Sequence, residues 1–381
     1  MGLPNQFHRT DMEKRLQRWV QRVPKDFWFV LGLLTVSRLA LTLIGSLVRT
    51  QWFSFTKDWA LPGPLSSHVW LNVWGLWDTG WYYRIATEWY SGTQQLGFAF
   101  FPLYPGIVRV LGEFFGHHFP IGLAVSNVSL VISCWILMKL AGDRRRGWWA
   151  VGALVSFPAA FVLSGMFTES LYLAIALGTF LAATRGKWWL AGLLGVALSF
   201  ARPVGFLIAL PIGLEYLRQR GWSVKKIDRK ALWVFLIPIG LPIWSWYNKL
   251  LTGDWLNFVH VQAAWRRGAT DPISALMTAL RADNFYDQAL AGSVILVALF
   301  LILFRKYLTV PEKSWAWISL LVPLFSGIYS MPRYFLVMFP LYLGFARAPI
   351  STFWRWVILG IMAIIQIGLF IYWPKPNSWV V

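Results

Sequence analysis

The 381-residue chain is 57% hydrophobic and 18% aromatic, with only 13% charged residues and a formal net charge of +19. Its apolar residues fall in continuous runs, several near the roughly 20 residues a helix needs to cross a hydrocarbon slab. This excludes a soluble globular domain and, for want of about ten-residue alternating segments, a membrane β-barrel. The basic residues sit in short loops between those runs, as the positive-inside rule dictates, so the charge points to anionic membrane lipids as partners and argues against nucleic acid.

Residues 1–26 are polar and basic, and Leu16, Trp19, Val20 and Val23 recur at helical spacing. They predict an interfacial helix on the cytoplasmic face. A retained signal anchor follows at residues 27–48, with Arg38 inside it either facing protein or snorkelling. Residues 49–120 then fall outside the cytoplasm. They include the stretch LNVWGLWDTGWYYRIATEWYSGTQQLGFAFFPLYP (71–105), which sets Asp78 among Trp74, Trp77, Trp81, Tyr82 and Tyr83 and ends in a phenylalanine and proline cluster. Residues 100–113 read as a short re-entrant or interfacial helix, broken at its start by Pro102 and Pro105.

A second span at 121–139 returns to the basic loop of Arg144, Arg145 and Arg146. Two short spans at 147–163 and 168–184 form a hairpin whose tip, SGMFTES, puts Glu169 at an external helix end. A second hairpin runs up through WWLAGLLGVALSF and down through GFLIALPIGLEYL, with Ala201, Arg202 and Pro203 at its external tip. A span at 231–247 is kinked by Pro238 and Pro242. Residues 248–290 form the second long external segment, carrying Asp254 and His260, and spans at 291–304, 314–330, 332–346 and 353–373 complete the chain. The turn GIYSMPRYF brings Arg333 back to the external side. The sequence thus predicts an all-α polytopic membrane protein with about 11 transmembrane helices. Residues 27–373 form one domain and 374–381 an extracytoplasmic tail. Cys134, the single cysteine, excludes an intrachain disulfide and a cysteine-based metal cluster.

By this topology Asp78, Glu169, Arg202 and Arg333 share one face with the 248–290 segment. Ionisable groups at membrane depth need a partner or a purpose. Acids can serve as general base and arginines can clamp a phosphate, which together suit attack by a hydroxyl with departure of an anionic phosphate. Plainer roles stand beside these. Asp78 fits a helix cap or a partner for Arg84, Glu169 caps the helix it begins, and Arg202 and Arg333 reach headgroups. His260 beside Asp254 fits a satisfied surface histidine, and Glu88 an interfacial residue. The aromatics serve either as sugar platforms or as an interfacial belt. No Walker, GxGxxG, HExxH or nucleophile-elbow sequence is present.

The strings WDTGWYYRIA, FAFFPLYP, FTES, ARPVG and PRYF resemble, in order and spacing, the PIG-V family. That family holds the second mannosyltransferase of glycosylphosphatidylinositol anchor synthesis and many bacterial relatives, and this chain looks like a bacterial-type member. The resemblance implies a GT-C-type integral-membrane glycosyltransferase fold with two long extracytoplasmic loops. It implies an inverting transfer of a hexose, mannose in the family, from a polyprenyl-phosphate-linked sugar donor to a lipid or glycan acceptor on the extracytoplasmic side of a bacterial plasma membrane. Carried over by motif, Asp78 is the acidic residue of the first external loop and the catalytic general base, and Glu169, Arg202 and Arg333 match the family's hairpin acid and two arginines. Trp77, Trp81, Tyr82 and Tyr334 join these as substrate-binding candidates, with Glu88, Asp254 and His260 behind them. No cofactor is certain; a divalent metal and a membrane-protein partner stay open. The chain departs from eukaryotic members at ATEWYSGTQQLG, where Trp89 replaces a glycine and Glu88 is displaced by one position. A transporter or flippase of an anionic lipid and a noncatalytic lipid-presenting subunit are the competing readings.

Overall fold

The computed structural model describes residues 25–51, 64–92, 95–265 and 270–374, and among these every regular element is a helix. The interfacial helix expected before residue 25 and nearly all of the tail lie outside the described residues. In chain order the helices used below are α1 (Lys25–Gln51), α2 (Thr79–Gly92), α3 (Leu103–Phe115), α4 (His118–Ala141), α5 (Arg144–Ser156), α6 (Glu169–Thr184), α7 (Trp188–Ser199), α8 (Ala209–Arg218), α9 (Ala231–Thr252), α10 (Pro272–Leu280), α11 (Phe285–Leu303), α12 (Val310–Leu324), α13 (Met331–Leu336), α14 (Pro340–Arg347) and α15 (Thr352–Tyr372).

Helix falls on every one of the sequence-predicted spans, but among the described residues only α1, α4, α9, α11 and α15 are long and apolar enough to cross a membrane by themselves. The chain is an integral membrane protein built around them. α6 and α7 have 16 and 12 residues, about 24 and 18 Å at the usual rise, short of a hydrocarbon core of about 30 Å. The reason is local. After α5 the chain passes Pro158 into a 3-10 turn at Ala160–Ser164, and after α7 it enters another at Pro203–Ile208. The span expected at 332–346 is divided into α13 and α14, with Pro340 opening the second. In α9 the expected kink is a 3-10 turn, Ile237–Ile239, around Pro238.

Irregular backbone at membrane depth persists only where protein or a cavity satisfies it. Here the breaks carry three of the candidate site residues: Glu169 opens α6, Arg202 follows α7, and Arg333 lies in α13. The elements around them are locked by buried aromatics and polar staples. α6 packs between α4 and α7, α14 packs on α5, and α8 on α12. Gly192 lets α7 touch α9 closely, since a Cβ there would stand 2.6 Å from the Trp233 carbonyl oxygen. Gln366 of α15 donates to the carbonyls of Val155 and Phe157 at the end of α5. Arg355 does the same for Phe345, Ala346 and Ala348 at the end of α14.

Candidate active site

Asp78 lies in the turn before α2, directly after Trp77, whose φ of 56° is the left-handed conformation that non-glycine residues avoid. The Trp77 indole donates to the Trp373 carbonyl oxygen at 2.8 Å, so a contact with α15 holds this strained turn. Arg333 follows a second such residue, Ser330 with φ 64°. Strain of this kind costs about 1–3 kcal/mol per residue and collects where a geometry is imposed by the surroundings. Arg202 is extended between α7 and the 3-10 turn behind it. Gly205 makes that placement possible: a Cβ would sit 2.0 Å from the Leu198 carbonyl oxygen, a clash with backbone that no rotamer relieves.

These segments bring two carboxylates and two guanidiniums into one bonded chain. Arg333 donates from Nη1 to Asp78 Oδ2 at 2.6 Å and from Nε to Glu169 Oε1 at 2.6 Å, and its Nη2 also stands 2.6 Å from that oxygen. Arg202 Nη2 reaches the same Glu169 oxygen at 2.7 Å. Glu169 is wholly buried at the first residue of α6, where the helix dipole adds to the two cations. Formal charge in the cluster cancels, which is what burial at this depth requires. Hydrogen-bonding capacity does not cancel. Among the described residues, Glu169 Oε2 and Arg202 Nη1 are buried without a partner. Asp78 commits only Oδ2, leaving Oδ1 without a protein donor. Arg333, by contrast, has its side-chain nitrogens turned to the two acids.

The cluster opens onto a cavity of about 580 Å³. Asp78, Tyr82, Arg202, Arg333 and Tyr334 line it on one side, with Phe101, Phe258, His260 and Ser330 around them. The Arg202 guanidinium lies 5.6 Å from the centre of the Tyr334 ring and 5.8 Å from that of Tyr172. Trp81 is buried behind the wall, stacked on Phe100 at 5.7 Å. Trp77 turns away toward Trp373. Asp78 pairs with Arg333 and not with Arg84. Glu88 lies elsewhere, in a separate groove of about 950 Å³ with Trp89, Arg109 and Phe200. His260 accompanies Asp254, its Nδ1 2.6 Å from Oδ2. The Leu256 N–H, and then His260, hold the exposed Asp254 carboxyl below the usual carboxylate range.

Sequence reasoning had passed over Tyr172, Gly205 and Ser330. Tyr172 stands three residues after Glu169, one helical turn on, and that spacing was its signal. Among the described residues no three His, Cys, Asp or Glu side chains gather to hold a metal ion. The two carboxylates of the cluster are already matched by guanidiniums, so this arrangement does not fit a divalent ion.

No family model matches the chain, and no curated protein matches it. Among solved structures, ArnT from Cupriavidus metallidurans bound to undecaprenyl phosphate superposes with a TM-score of 0.51 at 16% identity, over 91% of this chain and 66% of that one. ArnT is a GT-C glycosyltransferase. The fold is that of the GT-C class. This chain spans just under two thirds of the length of ArnT, and at this identity the likeness speaks for architecture alone.

Proposed function

We propose that the protein is an inverting glycosyltransferase that moves one hexose from a polyprenyl-phosphate carrier to a lipid or glycan acceptor. The observation that carries the reading is the Asp78, Arg333, Glu169 and Arg202 chain opening onto a cavity with donor and acceptor valences to spare. The acceptor hydroxyl attacks the anomeric carbon, the bond from that carbon to the phosphate oxygen breaks, and its electron pair leaves with the phosphate. Asp78, through Oδ1, takes the hydroxyl proton. Arg202, with Nη1 uncommitted, bonds the departing phosphate, and Arg333 contributes its field while fixing Asp78 and Glu169. Tyr82 and Tyr334 wall the sugar; Trp81 and Trp77 brace that wall from behind.

The solved neighbour was bound to undecaprenyl phosphate, which supports a polyprenyl-phosphate donor for this chain. The motifs FFPLYP, FTES, ARPVG and PRYF support the PIG-V family and, with it, mannose. The basic loops support a plasma-membrane protein whose cavity faces away from the cytoplasm. Purified protein in vesicles, given undecaprenyl-phosphate mannose and a lipid extract as acceptor source, is expected to release undecaprenyl phosphate. Asp78→Asn is expected to bind the donor and lose transfer by about 10²- to 10⁴-fold. Redistribution of intact donor across the bilayer without release would favour a transporter, and activity only in a complex would favour a presenting subunit.

A further inference from the structure

We infer that His260, oriented by Asp254, is the relay that carries the reaction's proton from the Asp78 side of the cavity to solvent. The inference rests on the transferase reading, since a binding protein has no proton to dispose of. Each turnover leaves the hydroxyl proton on the Asp78 carboxyl, and that proton must depart before the next acceptor is activated. Asp78 is almost enclosed, with 15% of its side chain exposed. Among the described residues lining its cavity, His260 is the one imidazole, and it sits at the rim with 63% of its side chain exposed.

The imidazole is held as a relay needs. Nδ1 lies 2.6 Å from Asp254 Oδ2, so the Nδ1–H donates to the carboxylate and the Nε2 lone pair is left free. Asp254 is itself fixed, because Oδ1 accepts the Leu256 N–H at 2.9 Å. The chain of transfer conserves protons: Asp78 gives one to water in the cavity, that water gives one to Nε2, and the imidazolium gives one to solvent. The other charged or titratable groups facing this corner are Lys249, whose Nζ is bonded to the Gly253 carbonyl at 2.6 Å, and Tyr82, Arg202, Arg333 and Tyr334 across the cavity.

The test compares wild type, His260→Ala and Asp254→Asn in vesicles with undecaprenyl-phosphate mannose, reading kcat, KM and the pH profile. The expected result is a tenfold or greater fall in kcat for His260→Ala with KM little changed, loss of the acid limb of the profile, and recovery of rate on adding imidazole. Asp254→Asn should weaken kcat less and shift the limb. Wild-type kcat and profile in His260→Ala, or a loss confined to KM, would overturn the relay while leaving the transferase intact. A wild-type protein that releases no undecaprenyl phosphate would overturn both.

Discussion

Two clusters of paired arginines and acids lie near opposite ends of α6, a helix about 24 Å long. At its N-terminal end are Glu169, Arg202, Arg333 and Asp78. Near its C-terminal end Glu312 meets Arg347, and Glu215 meets Arg218 around a cavity of about 320 Å³. The second cluster is saturated. Glu312 takes Arg347 on both oxygens at 2.8 and 3.1 Å and closes a capping box with Thr309, while Arg347 also donates to the carbonyls of Leu140 and Tyr307. Glu215 takes Arg218 on both oxygens at 2.7 Å and adds Gln219. The first cluster keeps Glu169 Oε2, Arg202 Nη1 and Asp78 Oδ1 unspent. Both clusters pair arginines with acids, and Glu312 and Arg347 are nearly as enclosed as Asp78 and Arg202, so neither pairing nor enclosure separates a fastening from a site. Leftover bonding capacity beside a cavity does.

Removing one guanidinium from each cluster tests that distinction, and the largest effect belongs to Arg333→Met. It leaves Asp78 without its cation and free to move, and leaves the buried Glu169 with Arg202 alone. Breaking a buried ion pair costs about 3–5 kcal/mol, and loss of a preorganised charge costs a further hundredfold or so in transfer. Arg347→Met is expected to lower stability by the same about 3–5 kcal/mol while leaving transfer per folded molecule unchanged. Thermal melting in detergent, paired with release of undecaprenyl phosphate normalised to folded protein, reads both. If Arg347→Met slowed transfer as much as Arg333→Met, the two ends would be functionally alike and the contrast would fail.

The helical character, the order of the spans and the shared face of the four charged residues were legible because each has a strong local signal: long apolar runs, basic turns, and ionisable residues at run ends. The pairing was not legible. Asp78 and Arg333 are 255 positions apart, and nothing in either neighbourhood distinguishes Arg333 from Arg84 as the partner of Asp78. Nor was it legible that the two arginines differ, Arg333 being turned to two acids while Arg202 keeps Nη1 without a partner among the described residues. That the hairpin spans are short was legible, but not that α5 ends at Ser156, because the 3-10 turn Ala160–Ser164 keeps an apolar composition outside the α-helix. Gly205 shows the reverse case. Its motif was noticed for Arg202, yet its own reason is a backbone contact with Leu198 that only the folded chain displays.

Asp254 and His260 sharpen the comparison from a third side, as a pair that is satisfied but exposed. The Asp254 carboxyl is held below the usual range, first by the Leu256 N–H and then by His260. For an acid shifted downward on folding, the contribution is complete above the ordinary carboxylate value of about 4 and disappears as pH falls through the lower native value. The Leu256 amide signal of protein labelled with nitrogen-15 leucine should therefore titrate with a midpoint below that ordinary value. His260→Ala should move the midpoint partway back toward it, since the leading contribution of the Leu256 N–H stays in place. Solvent screens this pair, so the shift is expected to register in the local signal and hardly at all in the melting temperature. A Leu256 midpoint at the ordinary value would mean that the carboxylate does not hold that N–H in solution, and the orientation of His260 would then lose its support.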